Sequence, residues 1–281
     1  MIVSLGRESE VVRLLALHRF LTQPQLAEFL FADSTLTPRS RQVVTWRLLG
    51  RLQRWGLVAA TPRQTGGAIA GSTLPGYFLT AAGLRLAATF YPDLPARRPA
   101  RRAPFLLAHS VMATEVELAF RRTARGRAGH EIELWECDWQ IALRLGATAV
   151  IPDARLVYRL GAVRLRAFLE VDLGTEGTRF FARKVERYIR LRGDGAWTAF
   201  LPRWPLVLTV TPTDARASSL CEATAAALGR SPFSSRGMLF KFCTIGALQG
   251  ELGALAAPWR VAGEKDASPL ATTEQLAAAS A

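Results

Sequence analysis

The stretch Ala149–Leu191 reads AVIPDARLVYRLGAVRLRAFLEVDLGTEGTRFFARKVERYIRL. Two apolar runs predict β-strands over residues 148–160 and 163–173, paired as an antiparallel hairpin through Leu160–Ala162. A helix is predicted to follow over residues 175–193. A strand, a turn, a strand and a helix in this order form the centre of an α/β domain.

Three carboxylates lie at the ends of the two predicted strands. Asp153 is near the start of the first strand and Glu170 near the end of the second, so an antiparallel hairpin brings both to one edge of the sheet. Asp172 lies two residues after Glu170, on the same face of its strand. Phosphodiester hydrolysis uses carboxylates that hold a divalent metal ion. The pattern therefore indicates a nuclease site binding Mg²⁺ or Mn²⁺ through these residues, the remains of such a site, or two ordinary strands with charged ends.

The segments around this hairpin extend the predicted domain over residues 105–262. A helix is predicted over residues 105–125, and further elements over residues 131–138, 205–210, 213–228 and 238–245. Their order, α-β-β-β-α-β, predicts an α/β sandwich with a mixed sheet. Residues 263–281 have little apolar bulk and are expected to be disordered.

The N-terminal residues 1–90 have a different pattern, with three short amphipathic helices. Thr22 and Gln25 occupy capping-box positions at the second helix, and Thr37 can cap the third. Val44, Leu48, Leu52 and Trp55 recur at helical spacing in the third helix, and we expect Trp46 and Trp55 to be core residues. Two strands separated by a glycine-rich tip are predicted after Gly56.

Three helices followed by a two-stranded wing resemble the winged helix-turn-helix fold, which places its third helix in the DNA major groove. Residues 36–64 contain six arginines and no acid. A linker rich in proline and arginine, residues 91–104, separates this domain from the next one. The resemblance implies base or phosphate contacts from Arg39, Arg41, Gln42, Thr45, Arg47, Arg51, Arg54 and, at the base of the wing, Arg63.

The composition favours a polyanionic partner. The net charge is +13, and only three of the 36 basic residues are lysine. Residues 1–104 carry 14 basic against 5 acidic residues, so the N-terminal part has most of the excess. Neither a long apolar segment nor a signal-peptide pattern is visible, and we expect a soluble, cytoplasmic protein with no membrane partner.

The carboxylate pattern also resembles the PD-(D/E)XK nuclease superfamily. Pro152-Asp153 corresponds to its first motif and Glu170-Val171-Asp172 to its second, with Asp172 at the position of the usual lysine. In some members of the superfamily a catalytic residue has moved to an adjacent helix, which implies Lys184 as the cation. The resemblance also implies a further metal ligand on the first core helix, either Glu117 or Glu115.

The chain as a whole is similar to the replication-relaxation family over about residues 5–230. Its most specific matches are Pro152-Asp153-Ala154, the pattern E-x-D-x-G-T-E over residues 170–176, and K-x-x-x-Y from Lys184 to Tyr188. The resemblance implies a protein of plasmids and other mobile elements that acts in replication, mobilisation or relaxation of DNA.

Three functions remain open from the sequence. The first is a non-enzymatic protein that binds double-stranded DNA, together with other mobile-element proteins. The second is a metal-dependent endonuclease or nickase that uses Asp153, Glu170 and Asp172, with Lys184 as the cation. The third is a transcription regulator with a ligand-sensing C-terminal domain. A homodimer would suit palindromic DNA sites, although no heptad pattern demands one.

Overall fold

A computed structural model of the protein describes residues 6–62, 74–94, 104–145, 150–199, 201–230, 240–272 and 274–276. The chain divides into two compact units, Met1–Leu118 and Ala119–Ala281. The boundary falls inside the helix Pro104–Ala124. The sequence prediction assigns this whole helix to the C-terminal domain, so the observed division differs from it. Most of the predicted linker lies outside the described residues.

The N-terminal unit consists of helices around a small antiparallel sheet. Its strand order is β1-β3-β2, in which Leu21 pairs with Tyr77 and Val58 pairs with Leu79. The described elements, in chain order, are α1 (Gly6–His18), β1 (Leu21–Thr22), α2 (Gln23–Phe31), α3 (Pro38–Arg54), β2 (Val58–Ala60), β3 (Gly76–Leu79), α4 (Ala81–Phe90) and the larger part of α5 (Pro104–Ala124).

Local sequence signals fix the starts of the helices in this unit. The Thr22 hydroxyl accepts a hydrogen bond from the Gln25 backbone, and the Gln25 side chain accepts one from the Thr22 backbone, which confirms the predicted capping box. The Thr37 hydroxyl accepts from the Ser40 N–H, as predicted for α3. One apolar core joins α1, β1, α2, α3, β2, β3 and α4; it includes Val11, Leu15, Leu21, Leu26, Leu49, Leu52, Val58, Leu79 and Leu84.

The C-terminal unit is built on one seven-stranded sheet with the order β10-β9-β8-β7-β6-β5-β4. The pairs β4/β5, β5/β6, β8/β9 and β9/β10 are antiparallel, and β6/β7 and β7/β8 are parallel. The elements are β4 (His130–Cys137), α6 (Asp138–Leu145), β5 (Ala154–Leu160), β6 (Val163–Val171), α7 (Thr178–Gly193), the 3-10 helix η1 (Ala196–Ala199), β7 (Leu206–Thr211), α8 (Asp214–Arg230), β8 (Phe240–Thr244), α9 (Ile245–Gln249), α10 (Gly253–Ala256), β9 (Trp259–Val261) and β10 (Ala267–Ser268).

Strand β6 pairs antiparallel with β5 on one side and parallel with β7 on the other, and β8 likewise has one parallel and one antiparallel neighbour. Helices α7 and α8 connect the parallel strands and pack against one face of the sheet. Their shared core is rich in aromatic rings, and it includes Phe168, Phe181, Val185, Tyr188, Ile189, Leu220, Phe240 and Phe242.

The mixed α/β fold predicted from the sequence is confirmed, and so is the antiparallel hairpin, in which Leu160 pairs with Val163. The expectation that residues 263–281 are disordered is too broad. β10 pairs with β9, Lys241 donates hydrogen bonds to Ser268 and Pro269, and Ala271 is buried. Within the described residues, no helix has both the length and the apolarity needed to cross a membrane.

Candidate functional site

The hairpin brings Asp153 and Glu170 to the same end of the paired strands β5 and β6, as predicted. Asp153 directly precedes β5, and its N–H donates to the Leu169 carbonyl at 2.9 Å. Its carboxylate Oδ2 accepts from the Val171 N–H at 2.7 Å. Asp153 is therefore fixed at its backbone and its side chain by the two residues that flank Glu170.

The Glu170 side chain points from β6 toward α7 and is 1% exposed. Lys184 Nζ donates to its Oε2, and the Tyr188 hydroxyl donates to its Oε1. Lys184 and Tyr188 are four residues apart on α7, so they lie on one face of the helix, one turn apart. The sequence motif K-x-x-x-Y thus provides a cation and a hydroxyl for one buried carboxylate.

The environment of this group changes its proton affinity. Burial raises the pKa of the Glu170 carboxyl to about 7, and the nearby charge of Asp153 acts in the same direction, while Lys184 and Tyr188 oppose it. Burial by itself lowers the pKa of Lys184, but the carboxylates of Glu170 and Asp153 outweigh it and raise that pKa above its usual value. Lys184 is therefore protonated at neutral pH, and its side chain, 26% exposed, keeps contact with solvent.

Asp172 does not join Asp153 and Glu170, which corrects the predicted set of metal-binding and catalytic residues. Arg216 on α8 holds it with two hydrogen bonds, from Nε to Oδ1 at 2.7 Å and from Nη2 to Oδ2 at 2.8 Å. The Gly174 N–H also donates to Oδ1, and Gly174 has a φ of +77°, which favours glycine. Because Arg216 further donates to the Glu176 carbonyl, Asp172 fixes the loop between β6 and α7.

The predicted fourth metal ligand, Glu117, is engaged elsewhere. It belongs to the N-terminal unit, where its Oε2 lies 3.6 Å from His18 Nε2, and both side chains are buried. Glu115, the alternative, accepts a hydrogen bond from Gln25 in the same unit. Among the described residues there is no group of three or more His, Cys, Asp or Glu side chains that could hold a metal ion. The predicted four-ligand cluster is therefore not assembled.

Helix α3 presents an exposed, basic face in the N-terminal unit. Arg39, Val43, Trp46, Arg47 and Arg54 are exposed and recur at the spacing of one helical face. We call this set the α3 face. Trp46 is 62% exposed and Trp55 is also exposed, so the prediction that both are core residues is wrong.

Two of the predicted DNA-contacting residues lie on other sides of α3. Thr45 is 0% exposed, and its hydroxyl donates to the Arg41 carbonyl one turn earlier, so it belongs to the core of the unit. Arg41 is half-buried and donates to the carbonyls of Ser34 and Leu36, each at 2.9 Å. Arg41 therefore fixes the turn between α2 and α3.

Two further predicted contacts are also engaged within the unit. Gln42 accepts hydrogen bonds from the Gln23 side chain. Arg51 forms an ion pair with Glu8, with an Nη2 to Oε1 distance of 2.5 Å. The last predicted contact, Arg63, lies outside the described residues. Of the predicted set, Arg39, Arg47 and Arg54 lie on the α3 face.

The sequence patterns assign no site role to three residues that shape these sites: Tyr188, Trp46 and Arg216. Tyr188 was visible only as part of a motif, although its spacing from Lys184 could have assigned it to the same carboxylate. Trp46 lies one turn from Val43, outside the stripe of leucines, and this spacing was a usable signal. Arg216 had no local signal, because it is 44 residues from its partner Asp172.

No curated protein matches the chain. A solved structure, that of restriction endonuclease FokI bound to DNA, is similar over 86% of this chain and 67% of its own, with 8% sequence identity and a TM-score of 0.25. That score is too low to support an argument about either unit. The model of the replication-relaxation family matches residues 12–203, from α1 to the segment before β7, and the chain therefore belongs to the replication-relaxation family.

Proposed function

We propose that this protein binds double-stranded DNA of a mobile element through the α3 face and acts there in replication, mobilisation or relaxation. The observation that carries the proposal is the exposure of Arg39, Arg47 and Arg54 on one side of α3, in a helix without a single acidic residue. Arginine keeps its charge in any environment and binds phosphate through a planar fork. Such a surface attracts the DNA backbone at any sequence.

The arrangement of the N-terminal unit supports this proposal. Helices α1, α2 and α3 are followed by β2 and β3, which is the order of a winged helix-turn-helix domain. In that fold the third helix enters the major groove and the strands form the wing. α3 is the third helix of this unit, so the α3 face occupies the position that contacts the major groove in that fold.

The apolar side chains on the α3 face add a second kind of contact. Val43 and Trp46 lie between Arg39 and Arg54 on the exposed side of the helix. Large apolar groups exposed together mark interaction sites more often than unused surface. In the major groove they would pack against thymine methyl groups, while the arginines hold phosphates.

The test is duplex binding measured as a function of salt. We expect the variant Arg39→Ala/Arg47→Ala/Arg54→Ala to flatten the slope of log affinity against log salt by about 2 to 3, near 0.9 per lost phosphate contact. Fluorescence anisotropy with a mixed-sequence duplex gives this slope. Arg13→Ala is the matched control, because Arg13 is already paired with Glu10 in the same unit. An unchanged slope in the triple variant would reject the α3 face as the binding surface.

A second candidate function is metal-dependent cleavage of DNA, which the surroundings of Glu170 favour. A buried carboxylate with a raised pKa, touched by a lysine and a tyrosine, is the kind of perturbed group that active sites contain. Mg²⁺ and Mn²⁺ bind one or two carboxylates together with water and substrate phosphate, and a Glu170 oxygen would become a ligand here on release of Lys184 or Tyr188. Asp153 and Glu170 would hold the ion, which would polarise the phosphate and activate water. Protonated Lys184 would offset negative charge on a bound phosphate.

Supercoiled plasmid tests this candidate directly. Cleavage or nicking is expected with Mg²⁺ or Mn²⁺, and its loss is expected on chelation and in Asp153→Asn. Asp214→Asn is the control, because Asp214 forms an exposed pair with Arg260 on another part of the unit. Plasmid that stays intact with every metal tried would remove the enzymatic function and leave DNA binding.

A further inference from the structure

Helix α7 has a second strongly basic surface, on the side opposite its core. Its sixteen residues contain six basic side chains and one acidic side chain, Glu186. Arg179, Arg183, Arg187 and Arg190 are exposed and follow one another at intervals of four, four and three residues. This spacing aligns them along one face of the helix.

The four arginines resemble one another in having no acidic partner among the described residues. None of them forms an ion pair with another residue of the described chain. Five other arginines of the unit are paired with acids; they are Arg155 with Glu136, Arg159 with Glu131, Arg164 with Glu133, Arg216 with Asp172 and Arg260 with Asp214. A row of exposed charges of one sign creates a positive potential that attracts anionic partners.

The dimensions of the row fit an extended polyanion. At a rise of 1.5 Å per residue, Arg179 and Arg190 are about 16 Å apart along the helix axis. Four cations spread over that distance match a chain of phosphates better than a single anion. Guanidinium groups bind phosphate oxygens through two parallel hydrogen bonds.

An exposed aromatic ring lies beside the row. Phe180 is 50% exposed, and it follows Arg179 and precedes Arg183 by three residues on the helix. Lys184 is one turn further along on the side of Phe180. Surfaces that combine a basic track with an accessible aromatic ring are those that bind single strands, because an unpaired base can stack on the ring.

We propose that Arg179, Phe180, Arg183, Arg187 and Arg190, together the α7 face, bind single-stranded nucleic acid. The arginines contact successive phosphates, and Phe180 stacks against a base. This inference goes beyond the proposed function, because it assigns a nucleic-acid surface to the C-terminal unit that does not depend on the α3 face. It also brings a phosphodiester backbone to the helix that carries Lys184.

The experiment uses the full chain, in a background that lacks Arg39, Arg47 and Arg54, so that the α3 face does not contribute. Binding of a fluorescent single-stranded DNA oligonucleotide of mixed sequence is measured by anisotropy at several salt concentrations. We expect Arg183→Ala/Arg187→Ala/Arg190→Ala to flatten the salt slope by about 2, near 0.7 per lost contact. Phe180→Ala is expected to weaken binding about fivefold or more, from the loss of one stacked base.

The matched control replaces Arg159, Arg164 and Arg260 with alanine, which removes the same charge from paired positions. Circular dichroism on every variant checks that the fold is retained. An α7 triple variant with the salt slope of the control would overturn the proposal, as would binding to duplex, acidic peptide or anionic vesicles without binding to single strands. Failure of the α3 face is read separately, in the duplex assay on the otherwise native chain.

Discussion

Replacement of Lys184 by methionine tests how Glu170 is stabilised. Methionine has a similar length and no charge, so the change removes the cation and largely keeps the volume. Glu170 would keep its hydrogen bond from Tyr188, but its carboxylate, 1% exposed, would lose its neutralising partner. Removal of one member of a buried ion pair typically costs about 3 to 5 kcal/mol. Because Lys184 itself is partly exposed, and because the Glu170 carboxyl, with a pKa already about 7, can take up a proton once the lysine is gone, we expect about 2 kcal/mol.

Urea unfolding followed by circular dichroism gives the free energy of unfolding at neutral pH. Lys184→Met is compared with the double variant Glu170→Gln/Lys184→Met, in which no buried charge remains. We expect the double variant to recover most of the lost stability, since a neutral amide can accept the Tyr188 hydrogen bond. A loss below about 1 kcal/mol in Lys184→Met would refute the reasoning, as would a double variant less stable than the single one.

Three further outcomes are expected. Arg216→Ala leaves the Asp172 carboxylate without its bidentate partner, so the free energy of unfolding should fall by about 2 kcal/mol in a urea titration. Arg260→Ala removes an exposed ion pair and should change the free energy of unfolding by less than about 0.5 kcal/mol in the same titration. Gly83→Ala should destabilise the protein by about 1 to 3 kcal/mol, because a Cβ at this position would lie 2.1 Å from the Leu57 carbonyl oxygen. Gly50→Ala, at a position on α3 with open space around it, should stabilise the protein by about 0.5 to 1 kcal/mol; thermal unfolding measures both effects. Partial burial, and to a lesser extent the charge of Arg127, lower the pKa of His130 below its ordinary 6.5. The unfolded chain therefore binds a proton more readily, and the free energy of unfolding falls as the pH drops below 6.5. In His130→Gln, the free energy of unfolding measured against pH should lack this decrease.

The elements that the sequence predicted well are those fixed by local patterns. The β5–β6 hairpin follows from two apolar runs around Gly161, and the start of α2 follows from the reciprocal bonds of Thr22 and Gln25. The carboxylates Asp153 and Glu170 meet because the hairpin register alone decides their positions. Short strands at the sheet edge, such as β9 and β10, have too few residues for a periodic signal.

The errors in the predicted sites come from contacts that the local pattern does not contain. The buried side of α3 consists of Thr45, Leu48, Leu49 and Leu52, whereas the predicted stripe included Val44 and Trp55 in place of Thr45 and Leu49. Tryptophan is often a core residue, but it is also enriched on binding surfaces, so its residue type alone does not predict the burial of Trp46 and Trp55. The role of Asp172 depends on Arg216, which only tertiary folding brings to it.

The pairing of β6 with an antiparallel neighbour on one side and a parallel neighbour on the other affects the order of folding. β5 and β6 are joined by the two-residue turn Gly161–Ala162 and pair antiparallel, so this hairpin can form from contacts that are near in sequence. The parallel pairing with β7 requires the crossover through α7, which closes a much longer loop. We expect Lys184 and Tyr188 to reach Glu170 in the same late step, because both lie on the crossover helix α7. We expect substitutions at these two positions to accelerate unfolding while leaving the folding rate nearly unchanged.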